Sequence, residues 1–257
     1  MAAWLLRLGI VLALAYAALC LGFYWQQRAL IYYPRLTRPA AAAPDIELDR
    51  GDGVRLRGWA LNPSAPRPIL YFGGNAERVE LRREQFARLF PGRSVYLFAY
   101  RGYGASDGTP SEAALAADAR AIHDWARARH PGQPIDVIGA SLGSGVAARL
   151  AAERPVARLV LVAPFDGLAE VGRAHYPFLP VRRLLRDRFE SARHLAGYAG
   201  PVLVVSAGRD TLIPAANTRR LIAALGRPPR VAVVPGATHD SLGADPSFEA
   251  ALAEFLR

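Results

Sequence analysis

Apolar residues run without a charge from Leu8 to Trp25 (LGIVLALAYAALCLGFYW), and beyond residue 44 that pattern gives way to short alternations and short runs. DIELDR (45–50) and VRLRGWAL (54–61) alternate by twos around Gly51-Asp52-Gly53, which predicts a hairpin entering a sheet. Six continuous apolar runs follow: ILYF (69–72), SVYLFAY (94–100), PIDVIG (134–139), ARLVLVA (157–163), PVLVVSA (201–207) and RVAVVP (230–235). Runs of this length suit strands buried on both faces of a parallel sheet. Helical stretches at 76–90, 111–130, 142–153, 215–226 and 247–257 separate most of them. A hairpin followed by alternating strand and helix units predicts an α/β fold, an open and mostly parallel sheet with helices on both faces. Residues 165–198 break the rhythm. They are rich in arginine and aromatics and hold no clear strand, so the expectation is a short helical lid over the carboxyl ends of the strands.

The first apolar run is long enough to cross a hydrocarbon core of ~30 Å. It ends in Phe23, Tyr24 and Trp25, residues that favour the headgroup level, whereas a cleaved signal peptide would end in small residues. The reading is an uncleaved single-pass anchor over 1–27, a Pro- and Ala-rich linker over 28–44, and one catalytic domain over 45–257. All the active-site loops would then lie beyond Asp45, leaving the anchor a simple tether. A chain of 257 residues with 52% hydrophobic content suits one such domain.

Charge changes the picture only at the margin. The 32 Lys+Arg are all arginine, and the formal net charge is +10. Arginine without lysine, beside abundant Ala and Leu, reads as a G+C-rich bacterial genome, which makes the bacterial inner membrane the expected location. Arg7 lies on one side of the apolar run and Arg28, Arg35 and Arg38 on the other, so the side of the membrane that holds the domain stays open. The arginines are scattered, with no basic run interleaved with aromatics. That argues against nucleic acid and for a general attraction to anionic lipid surfaces. The single Cys20 can form no internal disulfide. Oligomeric state is not legible.

GASLGSG (139–145) is the stretch that carries chemistry. Read as a glycine loop it would cradle a dinucleotide, but such loops follow a first strand, and this one follows at least five predicted strands. A Walker loop needs lysine, which the chain lacks. Read as G-x-S-x-G it is a nucleophile elbow, with Ser141 thrust out of a strand-to-helix turn. That reading requires an acid and then a histidine in later loops. VLVVSAGRD places Asp210 after one late strand, and VAVVPGATHD places His239 after the next. Ser141 would attack, His239 would take its proton, and Asp210 would hold the imidazole. The attacked carbonyl oxygen needs N–H donors, assigned to Leu142 after the nucleophile and to Asn75 after ILYFGG.

These features together resemble the membrane-anchored serine hydrolases of the α/β-hydrolase superfamily, a group often labelled serine aminopeptidase-like. The resemblance runs from Leu30 to Arg257. Beyond the three residues named, it rests on Leu30 to Pro34, YFGGNAE, YRGYGASDGTPSE (100–112), GASLGSG, PVRRLLRDRFES (180–191), PVLVVSAGRDTLIP (201–214) and GATHDSL (236–242). It implies an α/β-hydrolase fold and hydrolysis of a carboxylic ester, thioester or amide through an acyl-enzyme, without cofactor or metal. The sequence departs from the family where the oxyanion loop often carries His-Gly, because Gly73 stands at the His position.

Asp166 and Asp187 compete with Asp210 as the acid, and His123, His130, His175 and His194 compete with His239. Phe165, Tyr176, Phe178 and Leu179 are the candidate lining for an acyl group, with packing of the lid onto the core as their alternative role. The substrate would be an acyl-containing small molecule, a lipid or a peptide. Acyl transfer on the same three residues, and a catalytically silent lipid- or peptide-binding protein, are the competing functions.

Overall fold

The chain begins as one long helix, α1 (Ala2–Ile31), whose apolar segment is largely uncovered and meets the body only along one side. The computed structural model describes residues 1–257. After a 3-10 turn at Pro34–Thr37 come β1 (Ile46–Asp49), β2 (Arg55–Leu61) and β3 (Ile69–Phe72). A second 3-10 turn (Val79–Arg82) and α2 (Arg83–Leu89) lead to β4 (Val95–Phe98), α3 (Glu112–Arg129), β5 (Asp136–Ala140), α4 (Leu142–Glu153) and β6 (Leu159–Val162). The lid holds three short helices, α5 (Leu168–His175), α6 (Val181–Leu184) and α7 (Ser191–Leu195). The chain closes with β7 (Val202–Ala207), α8 (Ala215–Ala224), β8 (Arg230–Val234), a 3-10 turn (Leu242–Ala244) and α9 (Pro246–Leu256).

The eight strands form one sheet in the order β1-β2-β4-β3-β5-β6-β7-β8. β1 pairs antiparallel with β2 and β2 antiparallel with β4, and every later pairing is parallel. Every predicted strand is present; the central runs, apolar on both faces, are satisfied inside a sheet covered twice, while the edge strands β1 and β8 stay largely uncovered. β3, β4 and β6 are buried along their whole length. They anchor a continuous hydrophobic core that includes Trp59, Tyr96, Phe72 and Phe165.

The strand order decides where a ligand can sit. From β3 the chain passes to β4 on one side and then crosses to β5 on the other, in register Ile69↔Asp136 through Phe72↔Gly139. In an open parallel sheet such a switch leaves a crevice at the carboxyl ends of the two strands. The Gly73-Gly74-Asn75 loop leaves β3 there, and Ser141 leaves β5.

Two expectations need correction. The expected linker over 28–44 is not a free tether. α1 continues to Ile31, and the segment after it packs on the body: Tyr32 and Thr37 are buried. Gly104 N–H donates to Thr37 Oγ1 at 2.8 Å, and Trp59 Nε1 donates to the Ala43 carbonyl at 2.9 Å. Its Pro and Ala content signals a chain without its own regular hydrogen bonding, and the body supplies the partners instead. The helix expected over 76–90 is shorter, α2 starting at Arg83, because residues 73–78 are committed to the loop beside Ser141.

Candidate active site

Gly139, Gly143 and Gly145 answer the question that GASLGSG raises. A Cβ at Gly143 would collide with the carbonyl oxygens of Phe72 and Gly73, one at Gly139 with the Gly143 carbonyl, and one at Gly145 with the Phe189 ring. The glycines let α4 press against β5, β3 and the lid. They do not line a dinucleotide site. Held between that helix and β5, Ser141 adopts φ 48° and ψ −114°, a left-handed conformation that side-chain-bearing residues seldom occupy. Ser141 N–H donates to Val162 O at 2.8 Å, and Ser144 Oγ donates to Ser141 O at 2.6 Å, so both sides of the strained residue are tied.

Asp210 and His239 arrive from the loops after β7 and β8. His239 Nδ1 lies 2.8 Å from Asp210 Oδ2, and His239 Nε2 lies 3.0 Å from Ser141 Oγ. A carboxylate only accepts, so the proton belongs on Nδ1, and the Nε2 lone pair faces the serine hydroxyl. The other Asp210 oxygen accepts from the N–H groups of Leu212 at 2.9 Å and Ile213 at 2.8 Å. Burial raises the cost of ionising Asp210. The His239 hydrogen bond and the Ile213 and Leu212 N–H groups outweigh that cost and hold its carboxyl below the ordinary aspartate value.

The competing residues, His194 excepted, are occupied elsewhere. Asp166 accepts from Asn217 Nδ2 at 2.7 Å and Arg220 Nε at 2.5 Å. Asp187 accepts from Arg28 Nε at 3.1 Å and Tyr32 Oη at 3.0 Å. His123 pairs with Pro155 O, His130 with Tyr96 Oη and His175 with Leu212 O, while His194 sits half-buried in the lid.

Leu142 is the first residue of α4, where an N–H has no acceptor within the helix. The main-chain N–H of Asn75 makes no hydrogen bond within the protein, and both residues border the cavity beside Ser141. Gly73 leaves the loop without the family's histidine, and other groups brace it. Glu77 Oε2 accepts from Gly74 N–H at 2.5 Å and Tyr71 Oη at 2.9 Å, while its Oε1 accepts from Arg82 Nε at 2.7 Å. Tyr100 Oη donates to the Gly73 carbonyl at 2.9 Å. The Asn75 side chain itself is clamped: Oδ1 accepts from Tyr103 Oη at 2.7 Å and Tyr33 N–H at 3.2 Å, and Nδ2 donates to Ile31 O at 2.6 Å. Sequence reasoning missed Glu77 and Tyr33, although a carboxylate three residues past Gly74 and the Tyr-Tyr-Pro that follows α1 were visible signals.

Above Ser141 lies a mainly apolar cavity of about 580 Å³. Phe165, Tyr176 and Leu179 line it, together with Val171, Leu184 and Ile213. Phe178 does not. It is 58% exposed, its ring meets Tyr176 edge-on, and it points away from the lining, because the lid turns over between Tyr176 and Leu179. One wall goes beyond the sequence expectation: Phe23, Gln27, Leu30, Ile31 and Tyr33, from α1 and the residues just past it, close the cavity alongside the lid.

With this sheet, elbow and loop arrangement the molecule is a hydrolase by fold, and a family model described as alpha/beta hydrolase fold matches residues 67–197. The chain belongs to that family. It is 45% identical over 232 residues to an uncharacterized protein of Mycobacterium tuberculosis, covering 85% of this chain and 82% of the other. It is 32% identical over 223 residues to the lysophosphatidylserine lipase ABHD12 of Macaca fascicularis, a match that takes in 73% of this chain and 55% of that relative. Among solved structures, the esterase Pf2001 of Pyrococcus furiosus superposes with a TM-score of 0.65 at 20% identity, over 88% of this chain and 92% of its own. That likeness is one of fold.

Proposed function

We propose that the protein is a membrane-tethered serine hydrolase that cleaves carboxylic esters carrying an apolar acyl group. The observation that carries this reading is the hydrogen-bonded chain from Ser141 Oγ through His239 to Asp210, at 3.0 and 2.8 Å, set beneath an apolar cavity. Ser141 Oγ attacks the ester carbonyl while its proton passes to His239 Nε2, and the carbonyl oxygen becomes an anion received by the N–H groups of Asn75 and Leu142. Collapse expels the alcohol, which takes the proton from His239 and leaves an acyl-Ser141 ester. A water activated by the same nitrogen then releases the acid. Asp210 stays ionised throughout, as the downward shift of its carboxyl favours.

A mainly hydrophobic lining favours an acyl chain over a peptide, whose amide groups would find few partners. The lipase name of a similar protein leans the same way. The apolar length of α1 supports the tether, with the anchor over 1–27 and the hydrolase body from about residue 45.

The test is covalent labelling with a fluorophosphonate together with turnover of p-nitrophenyl esters. Ser141→Ala should lose the label and lower kcat by roughly 10⁴ or more, with the circular dichroism spectrum unchanged. Labelling or near-normal turnover in the purified mutant would remove Ser141 from the mechanism.

A further inference from the structure

The lid does not end at the polar turns of α1 but runs along its apolar segment. Tyr16 Oη donates to the Phe178 carbonyl at 2.8 Å, and the rings of Phe23 and Tyr176 stand 6.2 Å apart. Tyr16 precedes Trp25 by nine residues, roughly 14 Å of helix axis at ~1.5 Å per residue. The tip Tyr-Pro-Phe-Leu-Pro (176–180) therefore lies at the depth of the uncharged run, and it carries no charge of its own. Tyr176 is 48% and Phe178 58% exposed, which leaves an aromatic pair uncovered next to an uncovered apolar helix. In water such a joined patch is unfavourable, while in hydrocarbon it costs nothing. The lining residues that remain exposed, Leu30, Tyr33, His175, Tyr176 and Leu212, mark the mouth of the cavity, and three of the five, Leu30, Tyr33 and Tyr176, lie on α1, just past it or on the tip.

We propose that the lid tip Tyr176–Leu179 is embedded in the membrane beside α1 and that the cavity opens sideways into the leaflet. The substrate would then be a membrane-resident acyl ester that reaches Ser141 between α1 and the tip without first leaving the bilayer. This rests on the serine-hydrolase reading and adds where its substrate comes from. It also gives Phe178 a role outside the cavity: its ring is the part of the lid that enters the acyl region.

The experiment uses the full chain in phosphatidylcholine vesicles, with two substrates: monooleoylglycerol in the bilayer and p-nitrophenyl acetate in the water. Phe178→Asp places a charge where hydrocarbon is proposed. Its kcat/KM on monooleoylglycerol should fall by roughly tenfold or more, while that on p-nitrophenyl acetate stays within roughly twofold. Equal losses on both substrates, no loss on either, or a wild type that cleaves p-nitrophenyl acetate but not the membrane ester would overturn the proposal. A wild type that neither turns over an ester nor takes the fluorophosphonate label would instead overturn the hydrolase reading. Embedding has its own readout in that case. With Cys20→Ser and Phe178→Cys carrying a nitrobenzoxadiazole probe, acyl-chain spin labels should quench the emission and aqueous iodide should not. Quenching by iodide alone would overturn the embedded tip whatever the activity.

Discussion

The floor and the roof of the cavity are made differently. The floor, with Ser141, Leu142 and Phe165, stands on fully buried strands and on a helix pressed so close that three glycines are needed for the contact. The roof, formed by α1, α5 and α6, is half exposed and hangs on a few polar links. Gln27 Nε2 donates to Leu184 O at 3.2 Å and Gln27 Oε1 accepts from Arg186 N–H at 2.7 Å, while Arg28 and Tyr32 meet Asp187. A rigid floor suits groups that must be held ready for a charge that develops only during reaction. A roof with little buried area of its own can yield to an entering chain. Under the proposed mechanism, chemistry and substrate access fall to parts of different stiffness.

Breaking the floor should have the largest effect. Asp210→Asn leaves the Leu212 and Ile213 contacts in place but presents an amide to His239 Nδ1, so the wrong tautomer is favoured and kcat should fall by roughly 10⁴. Stopped assays on p-nitrophenyl butyrate check this, and a mild effect there would name another acid. Gly143→Ala forces a methyl against backbone oxygens that cannot swing aside, and urea denaturation should show a loss of about 1–3 kcal/mol, with kcat reduced because Gly73 and Asn75 move too.

On the roof, Tyr32→Phe removes one hydrogen bond to a carboxylate that keeps Arg28. It should cost about 0.5–1.5 kcal/mol and raise KM for apolar esters several-fold, with kcat nearly unchanged. An equal fall in kcat would show that roof and floor are coupled more tightly than their links suggest. The smallest effect is in pH. Asp210 is depressed in the folded protein, so its ionised form stabilises the fold fully above the unfolded value of ~3.9, and that contribution is lost as pH falls through the folded value. The stability gap between wild type and Asp210→Asn should accordingly be widest near neutrality and close as pH drops below ~3.9, as followed by urea titration across that range.

Much of the floor is legible in the sequence. The eight strands were legible, two from alternation and six from short apolar runs between turn residues, and the order of Ser141, Asp210 and His239 after successive strands carried its own geometry. The roof was less legible. Phe178 looked like Tyr176 and Leu179 in composition, since a run such as Tyr-Pro-Phe-Leu-Pro says that its side chains are apolar but not which of them turn inward. Residues 28–44 looked like a tether because Pro and Ala signal only the lack of local pairing. Glu77, read as part of a helix, turns back to the Gly74 N–H, a choice made by the vacancy of polar partners in the loop and not by helix periodicity.

What the residues alone determined is whatever follows from local pattern: the strands, the turn with its glycines, the chain order of Ser141, Asp210 and His239, and the apolar length of α1. Only the tertiary structure decided that Asn75 is clamped by Tyr33 and the Ile31 carbonyl, that Asp187 serves Arg28 and Tyr32, and that the turn after Phe23 is a wall of the cavity. These contacts join residues from more than forty to more than one hundred and fifty positions apart. Hydrophobic burial is proportional to area and indifferent to partner, so apolar pattern predicts that a surface is covered, while the identity of the cover emerges only when the whole chain competes for it.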